Sequence, residues 1–315
     1  MNFGLIAFNL NIPTMKYARL IAYALILGFT GIIQAQGDGP RAYWPQPVGT
    51  NIVTPLYSYI GSNQVFDTNI FEKEADFDTN VYGLMYARLL NIKQRTAAVV
   101  AMLSYGDTSG GLPNIQGSTN GLGDLYVVGI LNLHGAPAVN AEEFMTTKYN
   151  TLVALQLAFR APTGKYDASD ALNLGTNRWE FKIGAPLMKF FNWGTPTVTS
   201  IEVLPTLSFF TKNNDLGETS GSLSQKPLFG IESHITQQLN KMLWVSLDSM
   251  YRLGGETAVA GADNDNAFNT FQLGGTLGMY FSRTWGLKLT YGSVLGENAD
   301  GMSGYMLRGM LSYTF

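Results

Sequence analysis

Taken two residues at a time, the stretch Gly304 to Phe315 separates into two faces. Tyr305, Leu307, Gly309, Leu311, Tyr313 and Phe315 fall on one side, and Met306, Arg308, Met310, Ser312 and Thr314 on the other. Period two marks a strand, because successive side chains point to opposite faces of a sheet. The same alternation recurs upstream. Strands are expected near 49–60, 79–90, 95–106, 122–133, 148–160, 177–192, 197–211, 226–238, 241–253, 267–282, 284–295 and 303–315. Each is long enough to cross a bilayer when tilted. No helical-period segment interrupts them, and no composition break marks a second domain.

The connections alternate in length. Long ones (Gly61 to Asp78, Asp107 to Gly121, Lys212 to Gln225, Gly254 to Asn266) follow every second strand, and short ones (Asn91 to Gln94, Trp193 to Pro196, Leu239-Asn240, Ser282 to Thr284) lie between. Residues 134–147 are an exception, a longer stretch where a short turn belongs. Long outer loops and short periplasmic turns typify single-chain outer-membrane barrels with even strand number. The expected fold is therefore all-β, a single closed antiparallel transmembrane β-barrel of about 12 strands, with both mature ends periplasmic. A two-sheet sandwich would not need so many strands of near-spanning length.

The faces carry different chemistry. Leu243, Val245, Leu247 and Tyr251 oppose Ser246, Asp248 and Arg252; Trp285, Leu287, Leu289 and Tyr291 oppose Lys288; Trp179, Phe181, Ile183 and Leu187 oppose Glu180 and Lys182. A misplaced Arg or Lys costs roughly 2–4 kcal/mol at the bilayer midplane, so charges are assigned to the lumen. Arg88, Arg160, Glu202, Glu232 and Arg308 are placed there for the same reason. By parity Met102, Met188, Met250, Met306 and Met310 join them, with Phe210, Tyr280 and His234. Aromatics near strand ends, Tyr105, Trp179, Trp193, Trp285 and Phe315, suit interfacial girdles.

Composition supports a surface that faces something other than water. Charged residues make up only 14% of the chain, against about 25% in soluble domains. No segment beyond residue 35 approaches the length of uncharged apolar run that a spanning helix needs, which leaves the β route. Residues 1–35 carry Lys16 and Arg19, no acid, an apolar run from Leu20 to Ile33 and a small residue at Ala35. They are expected to be a secretory signal, with Met15 the expected start. Residues 36–47 are then a periplasmic or lumen-threading segment, and 48–315 the barrel. Without the signal, Lys+Arg falls from 20 to 18 against 23 Asp+Glu, a mildly acidic balance that argues against nucleic acid. The chain has no cysteine, so disulfide scaffolds and thiolate metal sites are excluded.

Candidate chemistry is sparse. Glu232, His234 and Thr236 share a face and mimic acid, base and hydroxyl, but a polar lumen ladder explains them as well. Asp263-Asn264-Asp265-Asn266 offers alternating oxygen ligands, yet lacks the glycine and the distant glutamate of a calcium loop, and Asx-rich turns are common without metal. No catalytic residue, metal or other cofactor is assigned.

The terminal Tyr313 and Phe315 resemble the closing strand of bacterial outer-membrane barrels, where the last aromatic is part of the signal read by the assembly machinery. Three blocks resemble the outer-membrane family named for the meta-pathway of phenol degradation: Gly39 to Tyr43 with Pro47 to Asn51, Gly121-Leu122-Gly123-Asp124-Leu125, and Ala161-Pro162-Thr163-Gly164-Lys165-Tyr166-Asp167 followed by Leu172 to Asn177 and Trp179. The resemblance implies a transporter-like barrel in the bacterial outer membrane. Its expected partners are the lipid bilayer and a small, aromatic or amphipathic solute. A structural or adhesive surface protein with a closed lumen is the alternative expectation. A barrel of about 12 strands lies between those filled by side chains and those with an aqueous channel.

Overall fold

The computed structural model describes residues 37–66, 69–170, 172–217, 221–295 and 301–315. The expected leader lies outside them. The strands are β1 (Asn51–Ser62), β2 (Asp76–Ile92), β3 (Arg95–Leu112), β4 (Ile115–Leu122), β5 (Leu125–His134), β6 (Thr151–Ala161), β7 (Glu180–Gly184), β8 (Leu187–Phe191), β9 (Thr199–Phe210), β10 (Leu223–Gln225), β11 (Leu228–Gln238), β12 (Leu243–Gly254), β13 (Thr257–Val259), β14 (Ala262–Asp263), β15 (Phe268–Tyr280), β16 (Trp285–Val294) and β17 (Gly304–Thr314). A four-residue helix, α1 (Ala141–Phe144), follows β5. Among the described residues no helix is long and apolar enough to cross a membrane.

Every pairing in the main sheet is antiparallel, and the sheet closes on itself through β17–β1 and β9–β11. Two staves are each made of two strands. β4 and β5 both pair with β3 and are separated at Gly123-Asp124; β7 and β8 both lie between β6 and β9, separated at Ala185-Pro186. Proline has no N–H for a ladder, which places the break at that dipeptide. Counting each such pair once gives a closed barrel of twelve staves. β10, β13 and β14 form a separate small sheet in the outer loops.

The alternation is kept by register. Leu84, Leu103, Leu157, Leu247 and Leu307 each expose about half of their surface on the outer wall. Towards the end with the long loops, Tyr57, Tyr105 and Tyr251 donate to Asn80, Asn120 and Asn269 across the neighbouring strand (2.8, 3.2 and 2.7 Å). At the other end Trp285, Tyr313 and Phe315 stack in sequence, with ring centroids 4.7 and 5.5 Å apart. Rings with an apolar body and a polar tip suit the two interfaces of a bilayer. Phe315 also closes the ring through its backbone: its N–H donates to Asn51 O, and Asn51 N–H donates to Phe315 O, both at 2.9 Å.

Three expectations change. The stretch 107–121 is not a loop but the outer half of the β3–β4 hairpin, its polar strands projecting beyond the apolar belt. Residues 134–147 carry α1, which an Asn140 capping box starts, and fold against the periplasmic mouth. Trp193 is no girdle residue. Its ring packs against Trp44, Tyr149 and Phe190 at 5.7, 4.9 and 4.9 Å, because the turn that carries it folds towards this inner cluster.

Candidate functional site: an occupied lumen

The N-terminal stretch Gly37–Thr50 enters the barrel and is held by side chains from its polar wall. Glu232 on β11 takes two successive amides in a bidentate grip, Asp38 N–H on Oε2 (2.9 Å) and Gly39 N–H on Oε1 (2.7 Å). Glu202 on β9 takes Arg41 N–H (2.9 Å) and Trp44 Nε1–H (2.7 Å). The carbonyl of Pro40 accepts from Lys288 Nζ at 2.7 Å, and Gln156 Nε2 donates to Asp38 Oδ2 and to Tyr43 Oη. Tyr43 in turn donates to Asp38. The Arg41 guanidinium lies between the rings of Trp44 and Trp244, 4.0 and 4.2 Å from their centroids, and donates to Gln238 Oε1 at 2.7 Å. Trp244 can lie inward because its register partner is Gly278. A Cβ there would come 1.8 Å from the indole.

The inner clusters are stacked along the axis. At the periplasmic mouth Tyr149, Leu152, Met188, Phe190 and Val198 form an apolar cluster with Tyr43, Trp44, Phe144 and Trp193 packed on it. In the middle, His234 sits between two carboxylates, Nε2 2.8 Å from Glu232 Oε1 and Nδ1 2.7 Å from Asp248 Oδ1. Ionised carboxylates only accept, so this bridge is complete when the ring carries both protons. Further outward, Glu180 pairs with Arg160 (3.1 Å) and Lys182 (3.4 Å) and accepts from Ser208 and from Asn69 of the first outer loop. Nearest the outside, Phe71 of that loop is fully buried against Phe268 (4.9 Å), Leu228, Val294 and Met302. The Arg252 guanidinium lies 4.5 Å from the Phe268 ring centroid, and Arg178 lies 4.7 Å from that of Phe210.

The lumen is unequal around its circumference. The inward groups of β7, β9, β11, β12 and β15, among them Glu180, Glu202, Thr236, Asp248, Thr270 and Gln272, are buried. On β1, β2, β3 and β5 the inward positions are instead mostly apolar, and Leu56, Ile60, Val81, Met85, Val100, Met102 and Ile130 remain partly exposed. Met85 and Met102 are register partners. Side chains that point inward yet keep exposed surface border a space the N-terminal stretch does not fill.

Of the residues assigned to the lumen from sequence, Glu180, Glu202, Glu232, His234, Asp248, Arg252, Met188, Met306 and Met310 are buried on the inner face. Arg160, Lys182, Met102, Phe210, Met250, Lys288 and Arg308 are there with partial exposure. Tyr280 reaches the mouth, where its hydroxyl accepts from Arg41 at 3.4 Å. Arg88 is a correction: it shares the outer face with Tyr82, Leu84 and Tyr86, is exposed, and donates to Asn51 Oδ1 at 3.2 Å. It lies close to the short β2–β3 turn, where an outward cation reaches the interface and costs only about 0–1 kcal/mol. Thr236 bonds Ser200 and Arg41 rather than His234, so the apparent acid–base–hydroxyl set is not assembled. The Asx stretch is a turn scaffold: Asn266 accepts from Thr257 N–H and donates to Phe71 O, and Asp265 pairs with Lys73. Sequence reading missed Trp244 and Gln156, although parity with Ser246 and Arg160 would have turned both inward. It had no signal for Arg41.

Residues 60–307 match the family described as "Putative MetA-pathway of phenol degradation". No curated protein matches the chain. Among solved structures, the COG4313 outer membrane channel from Pseudomonas putida F1 superposes with a TM-score of 0.73 at 21% identity, covering 88% of this chain and 99% of its own. That likeness establishes a shared fold. The translocator domain of the autotransporter NalP from Neisseria meningitidis follows at a TM-score of 0.46 and 12% identity, covering 96% and 95%. The TodX monoaromatic hydrocarbon channel, as a deltaS2 mutant, has a TM-score of 0.42 at 10% identity, covering 90% and 96%.

Proposed function

This chain belongs to the family of the MetA-pathway of phenol degradation, and on that premise we propose that it is an outer-membrane channel for small apolar or amphipathic solutes. The observation that carries this reading is the two-sided lumen. Polar groups of one wall are consumed in holding the N-terminal stretch, while the opposite wall offers Leu56, Met85, Val100, Met102 and Ile130 as a partly exposed apolar strip. A hydrated ion or sugar gains nothing from such a strip. An aromatic ring does, since thioether–ring contacts contribute about 0.3–1.5 kcal/mol each. On the inner face Glu180 is paired with Arg160 and Lys182, and Glu232 and Lys288 are bonded to the backbone of the stretch, which removes these five as free sites for ions. No enzymatic role is assigned: both nitrogens of His234 face carboxylates, and Thr236 bonds Ser200 and Arg41 instead, so no nucleophile–base pair is assembled there.

The test is uptake of a phenol-sized solute into proteoliposomes, against protein-free liposomes. Replacing Met85 and Met102 together by Ser should slow uptake several-fold while the barrel stays folded. Equal uptake by wild type, the variant and protein-free liposomes would remove the reading for that solute class.

A further inference from the structure

We infer that Glu232, locked in place by His234 and Asp248, is the positioning residue that keeps the N-terminal stretch inside the barrel and so sets the width of the path beside it. The inference rests on the channel reading for its consequence, but not for its geometry.

The geometry starts from a spacing of two. Glu232 and His234 fall on the same face of β11, and the register places Asp248 of β12 opposite His234. Both oxygens of Glu232 are committed. Oε2 takes Asp38 N–H, and Oε1 takes Gly39 N–H together with His234 Nε2. Two consecutive amides can turn to one carboxylate because Gly39 adopts φ +84°, a conformation that L side chains rarely adopt, and because Gly37 has no side chain. A Cβ on Gly37 would come 2.0 Å from Glu232 Oε2. Behind the imidazole the chain of bonds continues. Asp248 accepts from Ser246 (2.5 Å) and Thr276 (2.6 Å), and Thr276 bonds Thr290 across β16 (2.9 Å). Glu232, His234 and Asp248 are 5, 7 and 2% exposed, so none of the three can exchange its partner for water without moving.

Other contacts bracket the grip without replacing it. Arg308 Nη1 reaches Gly37 O at 3.4 Å and Lys288 Nζ reaches Pro40 O; both are single contacts to carbonyls. Glu202 holds the stretch further along, at Arg41 and Trp44. Gln156 and Tyr43 hold the Asp38 side chain, but the two-point bond to the backbone of the deepest described residues comes from Glu232. A buried pair that loses one member leaves an uncompensated charge, so a change at His234 should propagate through Glu232 to the stretch.

The chain has no cysteine, which makes a labelling test direct. Pro40 is buried, and a Pro40→Cys variant should react slowly with a membrane-impermeant maleimide. Adding Glu232→Gln or His234→Leu should speed that labelling at least tenfold, while the barrel keeps its heat-modifiable migration on SDS gels. In planar bilayers the same two changes should raise conductance several-fold. Unchanged labelling in folded protein would overturn the inference, and a conductance rise without faster labelling would make Glu232 a lining charge instead. Faster labelling with no conductance in any variant would uphold the grip on the stretch and sink the channel reading instead.

Discussion

Lys93 and Gln94 make the turn between β2 and β3 with φ of 49° and 62°, left-handed values that two-residue hairpins demand and that Asn-Gly supplies most easily. Neither residue announces a turn, so the short connection was visible only as a gap between apolar runs. Replacing the pair by Asn-Gly should stabilise the protein by about 1 kcal/mol, read as a shift of the urea midpoint in detergent or lipid. The opposite outcome is expected at Gly278. Gly278→Leu would drive a side chain into Trp244, disturb the stack on Arg41, and cost about 1–3 kcal/mol as overpacking does, measured in the same way. Single residues were thus unevenly legible. Glu180 and Lys182 could be turned inward by parity and bilayer cost alone. Arg88 defeated that rule, because parity must be combined with depth and depth is not written in one strand.

Strands reveal themselves where one face meets lipid. All twelve staves could be located from alternation because the outer face must be apolar, and the β3–β4 extension could not, because Ser109, Gln116 and Ser118 meet water on a hairpin that leaves the membrane. The outward row is therefore the sensitive one. Leu247→Arg should lower stability by roughly 2–4 kcal/mol, whereas Ser249→Arg, on the same outward row of β12 but nearer its outer end, should cost less; unfolding in lipid vesicles compares them. On β17, removing Phe315 takes away both backbone bonds to Asn51 and the ring stacked on Tyr313. Less folded protein should reach the outer membrane, with secretion across the inner membrane little changed, as surface labelling and fractionation would show.

At the scale of the molecule, wall and filling are separate constructions. The wall is a ladder of backbone bonds between neighbouring strands, and the filling consists of the N-terminal stretch, the first outer loop with Phe71, and the mouth cluster around Trp193. Removing residues 37–47 should accordingly leave a heat-modifiable barrel with an unchanged far-UV circular dichroism signature. Of the filling, sequence offered residues 36–47 as a periplasmic or lumen-threading segment but not the groups that hold it. Loops and terminal segments have no period, and their partners, such as Glu232 for Gly39, are distant along the chain. The closing pair β1–β17 sets the tempo of folding. Asn51 and Phe315 are roughly 260 residues apart, and bringing such ends together costs about 5 kcal/mol of chain entropy in the length-dependent part alone. That cost falls on the last seam, while every earlier hairpin closes locally. Until the seam forms, the nascent sheet has two raw edges, each able to recruit another copy. Acquisition of the native state should thus be slow, all-or-none at its final step, and sensitive to protein concentration.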